Sequence, residues 1–261
     1  MTHFGLHLAN KDGITNPADL SAVDEASPSH VILLGEEREH LPLRRAAAIL
    51  NDRGFPTTWR AFPQGRPALI AMATNALTAQ LNPGATVAYL ENLCGVTWSG
   101  VWSPGVGNLT KPDPSLMQHL LSWWPWGRGF LGELTPERRV ITLRKEFAKT
   151  QISEPETVVP RNDLLIKTGE LSEEAMKVAL TAAQAQRIVP YSEIFGDPAP
   201  RYGNKRAVEM FALPADLSHF LPGAAAFTCI TCSADVFTTT CYFCRVSELS
   251  QTSNTYQGAM Q

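Results

Sequence analysis

The sequence predicts an α/β fold whose N-terminal portion, residues 1–150, carries a mainly parallel sheet flanked by helices. Three observations carry this expectation. Short continuous apolar runs alternate with longer segments of helical period. Proline, glycine and asparagine punctuate the boundaries between them. The composition, 44% hydrophobic and 18% charged over 261 residues, is sufficient for a core. A smaller α+β portion, residues 163–246, is expected beyond a polar, proline-bearing linker at 151–162, with a Ser/Thr/Gln-rich disordered tail at 247–261.

Val31 to Leu34, between Pro28 and Gly35, reads as a buried strand. A helix follows, with Pro42 in its first turn, Leu43, Ala46, Ala47 and Leu50 on one face, and Gly54 just past its end. Thr57 to Phe62 reads as the second strand. Pro67 opens another helix, striped by Leu69, Ile70, Ala73, Leu77 and Leu81, and Asn82-Pro83-Gly84 is read as its stop. Ala85 to Leu90 then reads as a third strand, which completes the alternation typical of parallel sheets.

Beyond Leu93 glycines interrupt the pattern, and Val96 to Trp102 reads as a glycine-bent strand. Asp113 is the expected N-cap of a helix with Pro114 at its first position, and Val140 to Leu143 the next strand. Ser172 caps a helix with Glu173 and Glu174 in its first turn, running to about Arg187. Ile188 to Phe195 and Ala207 to Leu213 are the last two strands expected before the cysteines.

A net charge of −3 and a pI near 6.1 argue against whole-surface attraction to nucleic acid or anionic membrane. No window reaches the ~18 apolar residues of a membrane helix, and Met1 to Asn10 lacks the pattern of a signal peptide. The expected location is therefore cytoplasmic, where thiols stay reduced.

The most specific chemistry lies in two Cys-x-x-Cys pairs, Cys229/Cys232 and Cys241/Cys244, separated by eight residues. Two such knuckles can complete one closed tetrahedral Cys₄ site, which suits structural rather than catalytic zinc. Such a metal would substitute for a core too small to fold alone. Two details oppose this reading. Ser233 and Arg245 stand where knuckles usually place glycine, and Ile230-Thr231 and Tyr242-Phe243 favour extended backbone. Buried thiols on the strands of an ordinary sheet are the competing reading, and a redox pair is a third, though no helix follows either pair. His219 keeps a Cys₃His variant open, and Cys94 stands alone as a core residue.

Other candidates are weaker. Glu36, Glu37 and Glu91, with Glu39 and His40 nearby, fall after strands, where a parallel sheet places ligands and general acid/base groups. Against that, charge runs usually solvate a helix entry. Trp123, Trp124 and Trp126 cluster with Trp98 and Trp102 and offer either a core or a surface for a protein partner. Gly127 to Gly132 matches Gly-x-Gly-x-x-Gly, but no strand-to-helix context surrounds it, so it reads as a turn. Arg201, Lys205 and Arg206 could meet phosphate, and the acidic pI makes nucleic acid the least favoured partner. Two functions fit: a non-enzymatic binding or assembly protein with structural zinc and a Trp-rich partner surface, or a cytosolic enzyme with a carboxylate-lined pocket at the sheet's edge.

Overall fold

A computed structural model describes residue 23 and residues 27–107, 109, 112–123, 129–143, 159–167, 171–191 and 199–247. In chain order the elements are β1 (Val31–Glu36), α1 (His40–Asp52), β2 (Thr57–Phe62), α2 (Arg66–Thr78), α3 (Pro83–Val96) and β3 (Trp98–Ser103). Then come α4 (Leu116–Ser122), β4 (Phe130–Thr135), β5 (Arg139–Thr142), β6 (Arg161–Lys167), α5 (Glu173–Ala183) and β7 (Ala185–Tyr191). The chain continues through α6 (Ala199–Tyr202), β8 (Val208–Ala212), β9 (Phe227–Thr228) and β10 (Asp235–Val236). The class is α/β, and no helix among the described residues is long and apolar enough to cross a membrane.

Two compact units result. One comprises Met1–Phe62, Ala71–Leu93 and Ser218–Gln261; the other comprises Pro63–Ile70 and Cys94–Leu217. In the first, β1 and β2 pair in parallel from Val31↔Thr57 to Glu36↔Phe62, with α1 as the crossover. The stripe Leu43, Ala46, Ala47 and Leu50 is buried with Leu33, as helical spacing requires. Gly54 takes φ +88°, its N–H bonds Asn51 O at 2.9 Å, and the Phe55 N–H bonds Leu50 O at 3.0 Å. That is a complete Schellman stop, with glycine at the left-handed position. The Asn51 side chain then accepts from Thr57 N and donates to Thr57 O, which fixes where β2 starts.

The second unit corrects the expectation of a mainly parallel sheet. Its six strands run in the order β5-β4-β3-β8-β6-β7, and only β6 and β7 pair in parallel. The error begins at Ala85 to Leu90, which is α3 rather than a strand. Asn82 Oδ1 accepts from the Ala85 N–H at 2.8 Å, so Asn82 caps α3 and Pro83 occupies its first turn. Gly84 to Leu90 are all buried, and a helix buried on every side gives the same continuous apolar run as a buried strand. Ser115, not Asp113, caps α4, in a reciprocal capping box with Gln118. Ser172 caps α5 as expected, but Gln184 in left-handed conformation ends the helix at Ala183, so β7 starts at Ala185.

Two apolar layers flank this sheet. Trp98, Leu131, Ile141, Leu164 and Met210 pack with Ala175, Ala179 and Ala183 of α5, while Val101, Phe130, Leu134 and Val140 pack elsewhere with Val106 and Tyr202. Charges are buried within it. Glu133 accepts from Trp98 Nε1 at 2.7 Å and from Arg139 Nε at 2.8 Å, and burial holds its carboxyl above the usual range. Arg161 is buried and donates to Val96 O at 2.6 Å and Ala183 O at 3.2 Å, the terminal turns of α3 and α5. Arg161→Met is therefore expected to cost about 3 kcal/mol, because both carbonyls lose a charged donor in a dry site. An unchanged unfolding midpoint in urea would overturn that assignment.

Candidate metal centre

β9 and β10 pair antiparallel, Phe227 opposite Val236 and Thr228 opposite Asp235, and the chain turns tightly between them. The Ser233 N–H bonds Cys229 O at 2.8 Å and the Cys229 N–H bonds Ala234 O at 2.9 Å. Twelve residues later the pattern recurs: Arg245 N–H to Cys241 O at 3.2 Å, Cys241 N–H to Val246 O at 2.9 Å. Ser233 and Arg245 take φ +60° and +61°, so both loops adopt the left-handed turn that the missing glycines argued against. Each side chain costs about 1 kcal/mol there. Arg245→Gly is accordingly expected to raise stability by up to about 1 kcal/mol with metal retained, as denaturant unfolding would read. A loss of stability would mean that Arg245 supports the turn in another way.

The knuckles bring all four sulfurs within 4.8 Å of one another. Cys229–Cys244 and Cys232–Cys244 are 3.3 Å apart, Cys241–Cys244 3.5 Å and Cys232–Cys241 3.6 Å, and none is disulfide-bonded. A tetrahedron with metal–sulfur bonds of about 2.3 Å has edges of about 3.8 Å. The cluster therefore fits one ion after slight expansion. His219 is not in this group; it sits on a separate turn, Ser218–Phe220. Cys229 and Cys241 are 1% and 0% exposed, whereas Cys232 and Cys244 are half-buried.

Backbone dipoles favour thiolate at one corner. Burial raises the Cys229 thiol, but the N–H groups of Cys232 and Thr231 and its sulfur neighbours outweigh it and bring it down to about 7. Burial pushes Cys232 up to about 11, and it pushes Cys244 upward as well. Four thiolates cannot share this space without a cation, so the donor set suits a divalent tetrahedral ion.

The residues between the ligands anchor the centre. Arg60 lies over the Tyr242 ring at 5.1 Å, the Tyr242 hydroxyl donates to Glu91 Oε2 at 3.4 Å, and Arg60 Nε donates to Glu91 Oε1 at 2.6 Å. Phe243 meets the His30 ring edge-on at 4.7 Å. Asp235 accepts from Thr228 Oγ1 at 3.0 Å and from Asn82 Nδ2, which ties β10 to the start of α3. The sequence alone gives Arg60, Asn82, Tyr242 and Asp235 no part in supporting the site, since only the folded chain brings them together around it.

The other candidates separate. Glu36 is buried and bonds Arg38 at 2.7 Å, and the neighbouring Glu39 side chain accepts from the Glu36 N–H. Glu91 serves Arg60 and Tyr242. Glu37 is half-buried in the turn before α1, and His40 exposed at its start. Trp98 and Trp102 are core residues, Trp123 is 84% exposed, and Trp124 and Trp126 lie outside the described residues, as does most of the expected linker. Gly129 takes φ +92° and leads straight into β4, with no phosphate-cradling helix after it. Arg201 is not on a soluble loop tip: it is buried and pairs with Glu209 at 2.5 Å, while Lys205 and Arg206 are exposed.

The fold and these residues define an α/β protein with a four-thiol knuckle centre. Among solved structures its fold resembles that of the DegV family protein Cg2579 from Corynebacterium glutamicum, with a TM-score of 0.53 over 77% of this chain and 80% of that one. At 13% identity the likeness is one of fold alone. No family model matches the sequence, and no curated protein matches it significantly.

Proposed function

We propose that the chain is a non-enzymatic binding or assembly protein whose Cys229, Cys232, Cys241 and Cys244 hold one structural zinc ion. The observation that carries this reading is the paired knuckle geometry, in which two non-glycine residues accept left-handed backbone to converge four sulfurs. Four protein ligands leave no open coordination position, which favours a structural role. A reducing compartment such as the cytosol suits four free thiols. Elemental mass spectrometry on protein purified without chelator, with a thiol count before and after chelation, is the test. One zinc per chain with thiols protected until chelation supports the site. Iron in its place would change the ion, and no metal would remove the site.

The partner surface in this reading is α4. Leu116, Met117, Leu120 and Trp123 are 79%, 63%, 54% and 84% exposed and follow helical spacing, in the aromatic and Met-rich composition of protein interfaces. Leu120→Ser with Trp123→Ser is expected to reduce capture of a protein partner at least tenfold with the unfolding midpoint unchanged. Equal capture would count against this face. The enzyme alternative has less support, because Glu36 and Glu91 are each already engaged by an arginine. Retained partner binding together with a turnover lost in Glu91→Gln would reverse that order.

A further inference from the structure

The four sulfurs are not equivalent, and their differences point to an oxidation site. Cys229 and Cys241 are sealed from solvent, while Cys232 and Cys244, each the second residue of its knuckle, are half-buried. These two belong to different knuckles yet lie 3.3 Å apart. Cys229–Cys244 is as short, but its first sulfur is inaccessible; Cys241–Cys244, within one knuckle, is longer at 3.5 Å. Ile230, within the first knuckle between Cys229 and Cys232, is 67% exposed. Joining Cys232 to Cys244 needs a contraction of about 1.3 Å, to the ~2.05 Å of a disulfide.

We infer that Cys232 and Cys244 form the oxidant-sensitive edge of the centre, at which a hydroperoxide closes a cross-knuckle disulfide and expels the metal. This rests on the metal reading above. One thiolate attacks the peroxide oxygen: an S–O bond forms, the O–O bond breaks, and the leaving alkoxide takes a proton to become an alcohol. The second thiolate then attacks the sulfenic sulfur, forming S–S and breaking S–O, and the departing hydroxide takes a proton to become water. Two thiolates lose two electrons, the peroxide gains them, and the dication leaves with only two sulfur ligands behind. A dithiol reductant and fresh metal restore the site.

The test treats the metal-loaded chain with hydrogen peroxide, follows released zinc with a chromogenic chelator, and maps linkages by mass spectrometry without reduction. The expected result is one zinc released and two thiols lost per peroxide consumed, with Cys232–Cys244 as the first linkage. A first linkage within a knuckle, or zinc release without a disulfide, overturns the inference. The same mapping on chelator-treated protein with the thiol oxidant diamide keeps the two readings apart. Protein purified without metal that still forms Cys232–Cys244 first would sink the zinc reading and leave these two thiols an oxidisable pair with no metal to expel. Loaded protein whose thiols and zinc withstand peroxide would do the reverse.

Discussion

Chelating the proposed zinc is expected to release residues 226–246 from protection against hydrogen exchange while the six-stranded sheet stays protected. The strands that frame the centre are two residues each, and the apolar cluster around them buries Val87, Ala234, Val236, Tyr242 and Phe243 with two of the cysteines, while Ile32, Phe227, Phe237 and Val246 are only partly buried against it. That buried area does not offset the conformational entropy of the 21 residues 226–246, about 1 to 2 kcal/mol each. Structural zinc contributes an apparent 10–16 kcal/mol in comparable small sites, enough to reverse that balance. Cys241→Ser, at a fully buried ligand, is expected to reproduce chelation. Cys94→Ser, where the thiol donates to Gln64 Oε1 at 3.5 Å, is expected to change stability by less than about 1 kcal/mol. Full protection of residues 226–246 in metal-free protein would mean that packing alone holds the hairpin.

Acid should act in the same direction. Metal binding requires thiolates, so protons compete with it and affinity falls as pH falls. Free cysteine thiols in an unfolded segment titrate at about 8.5, so binding four of them is expected to release about one proton fewer at pH 8 than at pH 6. Calorimetry in buffers of differing ionisation enthalpy reads this count. An equal count at both pH values would mean that the ions are not taken up by protonated thiols.

What was legible in the sequence was what local physics decides. The β1–α1–β2 unit follows from a proline in the first turn, an apolar face and a glycine stop, and Ser172 caps a helix wherever its neighbours lie. Strand pairing is not local. β3 pairs with β8 across more than a hundred residues, and no pattern within either strand distinguishes parallel from antiparallel partners. Asn82-Pro83 failed for a different reason: the same dipeptide can follow one helix or open the next, and here it opens α3. The cysteine spacing picked out the four thiols that the fold brings together, yet residue preference at positions 233 and 245 argued against the turn they form. Propensity is worth about 1 kcal/mol per residue, so convergence of four sulfurs on one ion can override it.

Gly84→Ala should destabilise the chain severely, with the sign of the effect deciding the matter. At an ordinary position in a helix, replacing glycine by alanine stabilises by about 1 kcal/mol. Here a Cβ would stand 1.6 Å from Asp235 O and 2.7 Å from Asp235 C, both backbone atoms of β10. No rotamer change relieves that overlap, so β10 has to withdraw from the start of α3. Withdrawal breaks the Asn82–Asp235 hydrogen bond and strains the turn that carries Cys229 and Cys232. A cost above about 3 kcal/mol is expected, in the range of severe overpacking. A fall in zinc affinity should accompany it, because the knuckle is seated on that contact. Asn82→Ala is the milder companion, losing the helix cap and one side-chain bond for about 1 to 2 kcal/mol. If Gly84→Ala instead raises the unfolding midpoint, β10 does not sit against α3, and the seating of the metal centre described above is wrong.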